Sequence, residues 1–192
     1  MRLALVNYPL PITIFAVIPF NQYARHDETR MLEWVDGEIE LLPELSPAQA
    51  RVRDKLLTVL GDYVEENGLG LVIPAPFAVR MPEEMRRGRE PDLLYVPHEF
   101  VETVQEDYVN SHGVSLIVEI TDARNRSLDS ITKFTEYQTA GIPEYWIVDV
   151  DRKETTFFLL THEGYAAAPL NDTGEYASRS LKGFRFSPAE IW

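Results

Sequence analysis

Residues 116–141 read LIVEITDARNRSLDSITKFTEYQTAG, and this stretch decides what kind of fold the chain adopts. Leu116 to Ile120 is apolar on both faces, which marks a strand buried in the middle of a sheet rather than one with a wet side. Glu119 breaks that pattern, and a carboxylate on a buried strand is costly unless it is paired or bound to a cation. From Ser127 to Ala140 the spacing predicts a helix, with Leu128, Ile131, Phe134 and the ring of Tyr137 available for packing and Gly141 placed to end it. Asp129, Lys133 and Tyr137 recur every four residues and share a stripe at the edge of the packed face. Two readings of Lys133 stand side by side: an i,i+4 ion pair with Asp129 on a wet face, worth a few tenths of a kcal/mol, or an ammonium reaching toward the strand ends.

Upstream, PDLLYV at 91–96 supplies the neighbouring strand, with Pro91 keeping helix from running in and Asp92 at its start. Alone, Asp92 reads as a strand-start carboxylate facing water. Together with Glu119 it gives two acids on core strands, a set that suits a hard divalent cation such as Mg²⁺ or Mn²⁺, while Lys133 stands ready to steady charge on an attacked phosphate. That is the outline of a metal-dependent nuclease.

The remaining elements follow from turn and cap signals. EWVDGEIELL at 33–42 has an Asp-Gly turn and alternation, so a hairpin or first strand is expected. Ser46-Pro47 opens a helix on which Val52, Leu56, Val59, Leu60 and Tyr63 recur at helical spacing until Asn67-Gly68. Short strands are expected at 69–74 and 77–81, then a charged loop at 82–90, PEEMRRGRE. The stretch 97–113 reads as short helix or loop, 144–150 as a strand, and 155–168 as a hairpin. A strand-like piece and a capped helical turn at Ser187 close the chain.

Length and composition set limits. The chain has 192 residues, 45% of them hydrophobic, which suits one domain with one sizeable core, expected over 31–192. The apolar opening, residues 1–30, reads as an extended arm on that domain: Asn7, Pro9, Pro11 and Pro19 argue against a signal peptide or membrane anchor. The lack of cysteine excludes disulfides, thiolate metal sites and cysteine nucleophiles, and suits a reducing cytoplasm. None of the four histidines follows a nucleophile-elbow sequence, which argues against a Ser-His-Asp hydrolase. The net charge of -13 opposes a protein that coats nucleic acid electrostatically. Set against it are local clusters, Arg80, Arg86, Arg87 and Arg89 before Asp92, and Arg124 and Arg126 after Glu119, which read equally as solvated loop charge.

The ordered set WVDGEIELL, SPAQARV, NGLGLV, REPDLLYV, VEIT, Asp129, Lys133, Tyr137, AGIPEYWIVD and GFRFSPAEIW resembles the bacterial putative restriction endonuclease family, a branch of the PD-(D/E)XK nuclease superfamily, over residues from about 30 to 192. The resemblance implies an α/β core, a mixed curved sheet flanked by helices, with Asp92 and Glu119 holding Mg²⁺ or Mn²⁺ and DNA as substrate. The superfamily lysine two residues after the second acid is here Thr121, and Lys133 resembles the family's helix-borne substitute. A histidine often found on the first helix is here Gln49, which cannot shuttle a proton near neutral pH. Glu38 is a further acid that the early strand offers, with a solvent-facing role as the plainer account. Two rival functions remain: a nuclease fold kept for binding after loss of catalysis, and a metal-dependent hydrolase of small phosphate esters. Apolar surface on the arm and on the 155–168 hairpin makes a homodimer an expectation, since double-strand cleavage gains from paired sites.

Overall fold

Asp36 (φ 54°) and Gly37 (φ 94°) form the left-handed pair that a two-residue hairpin demands, and they join β1 (Leu32–Val35) to β2 (Glu38–Leu41). The computed structural model describes residues 17–25 and 31–192. Of the expected arm, residues 1–16 and 26–30, with Asn7, Pro9 and Pro11, lie outside the described residues. Within it Phe20–Ala24 is a short helix, α1, rather than extended chain, with Phe20 and Tyr23 buried.

Helix α2 (Pro47–Glu66) begins as the sequence requires: the Ser46 hydroxyl accepts from the Gln49 amide, and the Gln49 side chain accepts from the Ser46 N–H. Strands β3 (Gly70–Pro74), β4 (Ala78–Arg80), β5 (Arg87–Arg89) and β6 (Leu93–Pro97) follow, then β7 (Tyr108–Asn110) and β8 (Leu116–Thr121). A π-helical stretch, Leu128–Lys133, runs into helix α3 (Phe134–Thr139). Strands β9 (Glu144–Asp149), β10 (Glu154–Thr161), β11 (Gly164–Ala168), β12 (Tyr176–Ala177) and β13 (Arg185–Phe186) follow, and then the expected helical turn, Pro188–Ile191, at whose start the Ser187 side chain makes no capping hydrogen bond.

The strands form two mixed sheets and a small ribbon. The six-stranded sheet has the order β11-β10-β9-β8-β6-β3, with β8 and β9 parallel and every other pair antiparallel, so β8 lies inside it as its apolar run demands. The five-stranded sheet has the order β2-β1-β5-β4-β7. Strand β5 corrects the charged-loop expectation at 82–90: an Arg-Gly-Arg strand reads as loop because only distant carboxylates make its burial affordable. Gly88 is required there, since a Cβ would meet the Phe20 and Tyr23 rings at 2.7 and 2.8 Å.

On one face of the six-stranded sheet, Val52, Leu56, Leu60 and Val64 of α2 pack with Leu93, Val118, Ile120 and Trp146. On the other, Tyr137 of α3 packs with Leu94, Ile117, Tyr145 and Ile147. Side chains alternate along a strand, so Glu119 shares the face of Ile117 and looks toward α3. Among the described residues no helix is long and apolar enough to cross a membrane.

Candidate active site

The antiparallel register of β6 and β8 pairs Leu93 with Val118. One step beyond it, Asp92 faces Glu119, which brings two carboxylates from distant parts of the sequence to one place. Both are buried, at 2% exposure each. The Ile120 amide donates to Asp92 Oδ2 at 2.6 Å, and Asp92 Oδ1 has no hydrogen-bond partner. Burial pushes the Asp92 carboxyl up to about 7, with the Ile120 amide and Lys133 opposing.

Lys133 and Tyr137 meet on Glu119. Lys133 Nζ donates to Glu119 Oε1 at 3.0 Å, and the Tyr137 hydroxyl donates to the same oxygen at 2.7 Å. Burial lifts the Glu119 carboxyl well above its ordinary range, with the Lys133 ammonium acting the other way. Lys133 is also 2.9 Å from Glu33 Oε1 and 3.4 Å from Asp129 Oδ1, so an ammonium with three protons faces three carboxylates. Burial works against its charge, but Glu119, Glu33 and Asp129 together raise its pKa well above the usual lysine value. The stripe of Asp129, Lys133 and Tyr137 is therefore the buried face of its helix, not a wet edge, and Ile131 is the residue left 65% exposed.

Glu33 is the residue that sequence reading missed. Fully buried on β1, it links Lys133 to Arg89, whose guanidinium also grips Glu136 at 2.7 and 2.8 Å. Its only sequence signal is the interruption of LEWV by an acid, which ordinary alternation assigns to solvent. Glu38, the acid expected from the same hairpin, is exposed on β2 and does not line the cleft.

The other expected residues divide. Gln49 is buried and its Nε2 donates to the Ile120 carbonyl at 2.7 Å, so it braces the strand end beside Glu119. Thr121 is buried and donates to Asn125 Oδ1 at 3.1 Å, a loop contact with no charge to offer. Among the described residues five of the six clustered arginines meet carboxylates, Arg86 with Asp36, Arg87 with Glu136 and Asp36, Arg89 with Glu33 and Glu136, Arg124 with Asp122 (and with Gln49), Arg126 with Asp149 and Asp151, while Arg80 lies over the Phe20 ring.

Asp92, Glu119, Lys133 and Gln49 line one narrow cleft of about 20 Å³, with Met31, Leu42 and Leu45 among its apolar walls. That volume holds about one water-sized particle. Among the described residues no group of three or more His, Cys, Asp or Glu side chains is arranged to hold a metal ion. A cation in the cleft would rest instead on two carboxylates and backbone oxygen. Those donors suit it chemically: all are hard oxygens, Asp92 Oδ1 lacks a partner, and the Ile120 carbonyl has a second lone pair beyond the one Gln49 uses.

A family described as Uma2, putative restriction endonuclease, matches residues 19–189. No curated protein matches the chain. Among solved structures, one titled as a putative nuclease belonging to DUF820 from Anabaena variabilis ATCC 29413 is similar with a TM-score of 0.72 and 12% identity. The alignment covers 91% of this chain and 97% of that one, a likeness of fold.

Proposed function

Because the chain belongs to the putative restriction endonuclease family, we propose that it is a metal-dependent nuclease that hydrolyses phosphodiester bonds of DNA, with Asp92, Glu119 and Lys133 at its centre. The observation that supports this best is the meeting of two buried carboxylates in one cleft, one of them with an unpartnered oxygen.

Asp92 Oδ1, Glu119 and the Ile120 carbonyl would hold Mg²⁺ or Mn²⁺. Bound there, such a cation supplies an acidified water and neutralises charge on the phosphate. The protein's part is to fix the ligands. The Ile120 amide holds Asp92, Tyr137 and Lys133 hold Glu119, and Gln49 holds the strand end. Lys133 would stabilise the negative charge that develops on the phosphate oxygens by releasing its longest contact, the 3.4 Å pair with Asp129.

The reading is tested by cleavage of DNA in Mn²⁺ with Asp92→Ala and Glu119→Gln. Each should lose activity by roughly a hundredfold or more, the scale expected when a transition-state electrostatic contact is removed, with the circular dichroism spectrum unchanged. Full activity in either variant contradicts the assignment. One observation favours the rival, a nuclease fold retained for binding: the site arginines are already engaged by carboxylates. Absence of cleavage by the unmodified protein across metals and substrates would support that rival.

A further inference from the structure

Outside the acid cleft, and sharing Met31, Leu42 and Leu45 with it, lies a larger groove of about 470 Å³. Among the described residues its walls are those three together with Leu41, Ala50, Glu44 and Arg53. Leu41 is 62% exposed, a large apolar side chain left in water at the rim. Among the described residues Arg53 pairs with its exposed neighbour Asp54 alone, at 3.1 Å, and it lies near enough to Asp92 to favour that carboxylate's charged form.

From this geometry we infer that the groove receives an unpaired nucleobase next to the scissile phosphate, so that the substrate is single-stranded DNA or a strand end rather than intact duplex. The inference rests on the nuclease reading and specifies its substrate class. Three observations carry it. The acid cleft has room for about one ion or water, so a phosphate must sit outside it, and the groove adjoins it through the shared Met31, Leu42 and Leu45. The groove is of the size and apolar character that small organic groups occupy. A duplex hides its bases in the stack and offers phosphates, which would gain nothing from leucine and methionine walls. It would also need a track of free basic side chains, and Arg87, Arg89, Arg124 and Arg126 are engaged by carboxylates while the chain carries a net charge of -13. An unpaired base buries its faces against apolar walls whatever its identity, and Arg53 is placed to meet a neighbouring phosphate.

The test compares three substrates in Mn²⁺: a single-stranded oligonucleotide, the same sequence as duplex, and bis(p-nitrophenyl) phosphate, a diester too small to need the groove. The single strand should be cut at least about tenfold faster than the duplex. Leu41→Asp, at an exposed position that folding tolerates, should lower the ratio of oligonucleotide to small-diester cleavage by roughly tenfold, the scale of one lost base contact. Leu41→Phe should keep that ratio. Equal cutting of duplex and single strand, or an unchanged ratio in Leu41→Asp, overturns the inference while leaving the nuclease reading intact. Failure of the unmodified protein to cut even the small diester overturns both.

Discussion

Asp92 illustrates what one buried carboxyl does to the stability of a metal-free protein. An aspartate in an unfolded chain titrates near 3.9, whereas burial places Asp92 at about 7. Between those values the native state keeps a proton that the unfolded state has released, so stability of the metal-free protein falls as pH rises through that window. Glu119, also raised by burial, acts in the same direction. The urea midpoint in a chelator should therefore drop between pH 5 and pH 7, and Asp92→Asn should flatten the drop and be the more stable protein near pH 7. A midpoint that rises across this range would show that Asp92 is held in its charged form. Of these residues, Glu119 was legible because an acid interrupts an apolar strand, and Lys133 because its stripe repeats every four residues. Glu33 was not: β1 alternates as a half-exposed strand should, and only folding closes its polar side over Lys133 and Arg89.

At the scale of elements, the helix after β8 departs from regularity where the site needs it. A step of four residues overshoots one turn of an α-helix, while the wider π turn over Leu128–Lys133 draws it back. Asp129, Lys133 and Tyr137 thereby stack on one line facing the sheet, and Ile131, two residues from both Asp129 and Lys133 and so on the far side of the helix, faces outward. Helical periodicity in the sequence cannot announce such a shift, because both windings use the same residues. The capped start of α2, the β1–β2 hairpin and strands β6, β8 and β9 were all legible, since cap, turn and apolar run are local signals. Strands β5 and β7 were not, because charged or short strands are justified only by distant partners. Glu144 at the start of β9 shows the same dependence: its buried carboxylate accepts from Trp146 Nε1, Ser178 Oγ and the Arg179 and Ser180 amides at 2.7–3.0 Å. Glu144→Ala strands these donors and should cost about 3 kcal/mol in urea unfolding, far from the cleft. A loss below about 0.5 kcal/mol would mean that the C-terminal loop is held by packing alone.

For the whole molecule, the tension between a charge of -13 and the proposed nucleic-acid substrate is eased by where the charge sits. Part of the negative charge is buried around Lys133 and Arg89, and the nearby arginines are used to balance it. Affinity for a single strand should then depend weakly on salt, with a slope of log K against log salt no steeper than about -2, because few phosphates meet free cations. A slope of about -5 or steeper would reveal a basic track that the described residues do not present. The two-sheet architecture serves the site in a simple way. The six-stranded sheet supplies Asp92 and Glu119, the five-stranded sheet supplies Glu33 and Arg89, and the irregular helix between them supplies Lys133.

The central claim is that Asp92 and Glu119 together hold one divalent cation, and calorimetric titration of the metal-free protein with Mn²⁺ above pH 7 tests it most directly. The expected result is a single site per chain that disappears in Asp92→Ala while the folded spectrum persists. Binding of Mn²⁺ by Asp92→Ala with unchanged affinity, or no binding by the unmodified protein, would contradict it.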